Sequence, residues 1–228
     1  MQMPILDPAA LHPTLWRGDQ LARGATRTVS SGYAALDAEL PGGGWPNGET
    51  TDIHVQQHGI GEMRLLRPAL TAVGHRPLMM LCAPHVPNSL AFANWGVPTE
   101  NLYWIDAQTT GDALWTAEQI LRAGTCGALL FWRTEIRPEH VRRLQLAAQA
   151  GDTLFFLFRW GSALHHNSPA PLRLSLSPAP EGADVQIVKR RGPALDDPIR
   201  IRLAPAPACV REFVPSQPLP SYEPQETR

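Results

Sequence analysis

Between residues 50 and 158 short strand-like runs, most of them apolar throughout, alternate with segments whose apolar residues recur every three or four positions. That alternation restricts the fold more than any other feature of the chain. Thr50–Gln56, Leu78–Ala83, Leu102–Ile105, Ala128–Trp132 and Thr153–Phe158 read as strands. Glu62–Gly74, Asn88–Trp95, Asp112–Ala123 and Pro138–Ala150 read as helices. Their inner faces are Leu65, Leu66, Ala69, Leu70 and Val73 in the first, Leu114, Ala117 and Leu121 in the third, and Val141, Leu144 and Ala148 in the fourth. Largely apolar strands, Ala128–Trp132 fully so, separated by amphipathic helices imply βαβ units and a parallel sheet covered on both faces. Pro68 inside the first helical pattern predicts a kink or a delayed start.

After Arg159 the pattern changes to alternation of apolar and polar residues in Leu172–Leu176, Val185–Lys189 and Ile199–Leu203. Such strands are buried on one side, which predicts an antiparallel extension of the sheet. The glycine and proline cluster Pro41–Gly48 reads as a tight connection. Residues 1–29 are expected to dock on the core, 30–204 to form one α/β domain, and the proline-rich residues 205–228 to form a flexible tail suited to partner docking.

Composition excludes several roles. The formal net charge is −1, so no overall basic field recruits nucleic acid or an anionic membrane. Lys189 is the only lysine, so any phosphate-binding or Schiff-base lysine must be that residue. Cys82, Cys126 and Cys209 lie far apart without paired spacing, a poor disulfide framework and a poor zinc site. With no signal-peptide pattern and no long apolar run, a cytoplasmic location is expected.

The turn after the first core strand is where a phosphate loop would stand. That loop needs glycines so that backbone N–H groups wrap phosphate, a lysine for the β and γ oxygens, and a hydroxyl for Mg²⁺. The corresponding octapeptide runs from Gln56 through Gly59 and Gly61 to Glu62 and Met63. Gln56 replaces the first glycine, Glu62 the lysine and Met63 the hydroxyl; Gly61 is retained. A carboxylate in place of an ammonium converts attraction to repulsion, although backbone amides at a helix start still attract anions.

Around this loop the sequence resembles the RecA-type ATPase core. The likeness is carried by Ser31-Gly-Tyr-Ala-Ala-Leu-Asp37, Pro41-Gly-Gly-Gly-Trp-Pro-Asn-Gly-Glu49, Gly96-Val-Pro-Thr-Glu-Asn-Leu102, Thr109-Thr-Gly-Asp-Ala-Leu114 and Val185-Gln-Ile-Val-Lys-Arg-Arg191. Leu40-Pro-Gly-Gly-Gly-Trp-Pro46 with Gly59-Ile-Gly-Glu-Met-Arg-Leu-Leu-Arg-Pro-Ala-Leu70 resembles more narrowly the ImuA family. Its members are RecA-like accessories of bacterial mutagenic translesion synthesis, related to the division inhibitor SulA.

The resemblance implies a RecA-like fold and puts Pro84 where ATPase members carry a catalytic glutamate. It likewise puts Trp132 in place of the Mg²⁺-linked aspartate and Trp160 in place of the γ-phosphate sensor. Phosphoryl transfer depends on positioning and charge stabilisation by those groups, so no catalytic residue, no cofactor and no metal are expected. The implied partners are ImuB, an inactive relative of the Y-family polymerases, an error-prone replicative-type polymerase, and RecA. The alternatives are a SulA-type inhibitor of the tubulin-like division protein, and a residual ATPase. Self-association is left open.

The remaining clusters have simpler readings beside functional ones. His54 and His58 fall on a strand and its exit loop with no carboxylate between them, so surface or hinge positions are expected instead of a metal site. His165 and His166 lack a nucleophile elbow and read as loop. Lys189, Arg190, Arg191, Arg200 and Arg202 either contact DNA or partner phosphates or form a solvated sheet edge. Arg133, Arg137, Arg142 and Arg143 either meet an acidic partner or solvate their helix. Trp45, Trp132 and Trp160 are expected beside the vacated nucleotide site, and Trp16, Trp95, Trp104 and Trp115 as core or interface anchors.

Overall fold

The computed structural model describes residues 27–161, 163 and 167–203. Ten strands occur among them: β1 (Thr28–Val29), β2 (Trp45–Pro46), β3 (Thr50–Val55), β4 (Leu78–Leu81), β5 (Leu102–Ile105), β6 (Ala128–Trp132), β7 (Leu154–Arg159), β8 (Leu172–Ala179), β9 (Gly182–Lys189) and β10 (Ile199–Arg202). The helices are α1 (Ala34–Asp37), α2 (Glu62–Val73), α3 (Ser89–Asn94), α4 (Thr110–Ala123) and α5 (Pro138–Ala148).

Eight strands form one sheet in the order β10-β9-β8-β3-β7-β6-β4-β5. Pairing is parallel from β8 through β3, β7, β6 and β4 to β5, and antiparallel between β8, β9 and β10. The architecture is therefore mixed α/β, with a large, mostly parallel sheet and an antiparallel extension at its C-terminal side. Period-two alternation in the strands sends Ile53, Val55, Phe156 and Phe158 to a core shared with α1, α2 and α3. It sends Leu129, Phe131, Phe155 and Leu157 to a second core under α4 and α5.

Local chemistry fixes the helix ends. The Asn88 side chain accepts from the N–H groups of Leu90 and Ala91 at the start of α3. Thr109 accepts from Asp112 N–H at the start of α4, which ends on Gly124 in the left-handed region. Pro138 opens α5 at the position where its missing N–H is harmless. Glu118 of α4 is bound by Arg122 at 2.9 Å and by Arg143 of α5, tying the two helices together.

Two expectations need correction. Trp45–Pro46, within the supposed connection, forms a strand antiparallel to Thr28–Val29, because its buried side chains offer a surface for the preceding segment. Of the two effects expected of Pro68, a kink or a delayed start, the delayed start does not occur, since α2 already begins at Glu62. No helix among the described residues is long and apolar enough to cross a membrane. The docking expected of residues 1–26, Trp16 included, and the tail from 205 with Cys209 lie outside the described residues, as do His165 and His166.

Candidate functional site

The loop after β3 closes on itself. Gly59 and Gly61 have φ of +81° and +113°, left-handed values that turn successive N–H groups inward. The Glu62 carboxylate lies in the concavity they form. Its Oε1 accepts from Gly59 N–H at 2.9 Å and its Oε2 from Gly61 N–H at 3.1 Å. Glu62 is only 6% exposed and stands in the first turn of α2, where the helix dipole favours negative charge. The anion that such a nest attracts is thus supplied by the chain itself.

The nest is also closed from the far side of the sheet. A Cβ on Gly61 would stand 2.6 Å from Leu203 Cδ1, and Arg64 Nη2 donates to the Leu203 carbonyl at 2.9 Å. The end of β10 is therefore anchored over the start of α2. His58 packs edge-on against Trp160, ring centres 4.6 Å apart, and Ile60, Met63 and Trp160 rest on the first core. Gln56 is exposed at the strand exit.

Trp132 is buried and stacks on Phe158 at 4.8 Å, while Pro84 is exposed beyond β4. Trp132 ends β6, and Trp160 follows the neighbouring strand β7 and packs on His58 of the loop. Trp45, expected beside them, instead packs edge-to-face on Phe156 in the core. It belongs to the short ribbon preceding β3, so its ring fills the middle of the sheet face.

The basic residues are dispersed along the β9–β10 ribbon. Arg202 is opposite Gly182, at the other end of β9 from Lys189, a span of roughly 23 Å at strand rise. Each is engaged: Lys189 donates to Ser168 O at 3.1 Å, Arg190 pairs with Glu39 and Arg191 with Glu49, both at 2.7 Å. Arg200 grips Asp184 through two bonds and Arg202 meets Glu181 at 3.3 Å. Burial, then the nearby Arg173, pushes the Lys189 ammonium below its usual value, against Asp52. Arg200 holds the Asp184 carboxyl below the ordinary range.

A buried ionic centre escaped the sequence reading. Asp52 Oδ2 lies 3.3 Å from Arg159 Nη1 and 3.4 Å from Arg173 Nε, all nearly sealed from solvent. These residues come from adjacent strands β3, β7 and β8. His54, on the same face of β3, is buried and its Nε2 contacts the Gly161 carbonyl at 2.8 Å, so it is not at the surface. The available signal was one carboxylate inside a strand expected to be buried on both faces, which requires a buried partner. Among the described residues no group of three or more His, Cys, Asp or Glu is placed to hold a metal.

No family model matches the chain. The cell division inhibitor SulA of Edwardsiella piscicida is 30% identical over 97 residues, covering 42% of this chain and 58% of that protein. The chain thus matches a little over half the length of this curated relative, a partial similarity that supports a SulA-related origin and no finer assignment.

Proposed function

We propose that this chain is a non-catalytic, RecA-like adaptor in DNA-damage-induced mutagenic translesion synthesis. Its task is to bind an ImuB-type polymerase-like protein and link it to an error-prone polymerase or to RecA. The observation that carries the non-catalytic part is Glu62: a carboxylate bonded to Gly59 and Gly61 fills the phosphate position. A triphosphate entering there must displace a buried, hydrogen-bonded anion and meets no lysine. The pathway assignment rests on the ImuA-like wording around Gly59–Leu70 and on the dispersal and pairing of the basic residues, which favour protein over DNA as the partner.

The test has two arms. Co-expression with ImuB is expected to yield a stable complex, and deletion of the gene is expected to abolish damage-induced mutagenesis without abolishing survival-level repair. Micromolar ATP binding, lost on changing Gly61, would instead establish a residual ATPase. A second reading, a SulA-type inhibitor of the tubulin-like division protein, is favoured by the 97-residue similarity. Filamentation of cells on overexpression, with no effect on mutagenesis, would select it.

A further inference from the structure

The sheet ends on one side at β5, which pairs with β4 alone. None of its four residues is buried, and Tyr103 and Trp104 are 47% and 46% exposed. They point to opposite faces, as neighbours on a strand must. Val86 before α3, Leu90 on α3 and Trp115 on α4 are 70%, 71% and 61% exposed. Five of the seven large exposed apolar side chains among the described residues thus belong to β5 or to the segments before and after it in the chain.

Charge marks the same region. From Pro77 to Leu121 the chain holds no Arg or Lys, yet contains Glu100, Asp106, Asp112 and Glu118. Glu118 is engaged by Arg122 and Arg143; the other three make no ion pair among the described residues. A free sheet edge is ordinarily protected by cations, proline or a bulge. The opposite edge follows that rule, since β10 carries the exposed Arg200 and Arg202. The β5 edge offers aromatic side chains and negative charge.

The backbone there is available for pairing. Cys82 N–H donates to the Ile105 carbonyl at 2.8 Å, so Ile105 and, two residues earlier, Tyr103 turn their main-chain groups toward β4. Those of Leu102 and Trp104 face outward. We propose that β5 is a docking edge for an extended, arginine- or lysine-bearing segment of a partner protein, which adds a ninth strand to the sheet. Main-chain bonds supply the pairing, Tyr103, Trp104 and Trp115 cover its apolar residues, and Glu100, Asp106 and Asp112 select its cations. This names a partner chemistry for the adaptor reading and rests on it only for the view that the chain binds proteins.

The test uses the full chain and a fluorescent synthetic peptide alternating arginine with valine, beside a counterpart with glutamate for arginine. Anisotropy is expected to show binding of the arginine peptide about tenfold tighter than the glutamate one, weakening as salt rises. Trp104→Lys is expected to reduce it by about tenfold or more, and Trp115→Ala serves as a milder variant should the first fail to fold. Equal affinity for both peptides, or no change in either folded variant, overturns the proposal. So does a dimer that dissociates on Trp104→Lys while neither peptide binds, because the edge then pairs with a second copy. ATP binding or a division phenotype would defeat the adaptor reading and leave the peptide result standing.

Discussion

The Tyr33 hydroxyl donates to the Arg64 carbonyl at 3.2 Å, and that carbonyl is the one Pro68 leaves free. In α2 the residue four places after Arg64 normally bonds it, but proline has no N–H. Gly32 makes the approach feasible: a Cβ there would stand 2.4 Å from Pro68 Cβ. Tyr33→Phe is expected to cost about 1 kcal/mol and to lower Tm by about 2–4 °C, measured by thermal unfolding. Burial raises the Tyr33 hydroxyl above its ordinary value, so its contribution holds below the unfolded value near 10 and is lost as pH rises through the folded one. The difference between wild type and Tyr33→Phe is therefore expected to shrink in strong alkali.

Asp52 Oδ2 pairs with both Arg159 and Arg173 inside the sheet. Asp52→Asn keeps the shape and removes the buried negative charge that both guanidinium groups face. Denaturant unfolding is expected to show a loss of about 3–5 kcal/mol, little changed by salt because the centre is screened from solvent. A loss comparable to that of an exposed pair would show that water reaches the cluster.

The β-strand and helix pattern of residues 50–158 was legible because period-two and 3.6-residue signals stood in separate segments with clear caps. Leu102–Ile105 is observed with the bounds expected of it. The short β1–β2 ribbon was not legible, since a two-residue strand carries no periodicity and Trp45–Pro46 is surrounded by turn residues. At the candidate site, the replacement of lysine by Glu62 could be read directly. Its fold-back onto Gly59 and Gly61 could not, because that depends on the left-handed turn of the loop. The five basic residues looked like a patch because sequence proximity hides how far an antiparallel ribbon spreads its ends.

Gly182 begins β9 where no side chain fits. A Cβ there would lie 1.9 Å from the Ile201 carbonyl oxygen, a backbone atom that cannot move without breaking the β9–β10 ladder. Gly182→Ala is expected to destabilise the chain by about 1–3 kcal/mol. Because Leu203 follows directly and lies against Gly61, hydrogen exchange should accelerate both in β10 and at the Gly59 and Gly61 amides. Faster exchange confined to β10 would mean that Leu203 does not hold the nest closed.

Glu62 provides the most direct test of self-occupation. Glu62→Ala removes the carboxylate and leaves the Gly59 and Gly61 N–H groups without an acceptor, at an expected cost of about 1–3 kcal/mol. The emptied nest is again a helix N-terminus with inward amides, which attracts anions. Inorganic phosphate is therefore expected to raise the melting temperature of the variant while leaving that of the wild type unchanged, since only the variant has a vacant site to bind it. ATP is expected to do no better than phosphate, because neither a lysine nor a magnesium-binding hydroxyl stands in the loop. Equal phosphate stabilisation of both proteins would show that Glu62 does not occupy the anion position in solution.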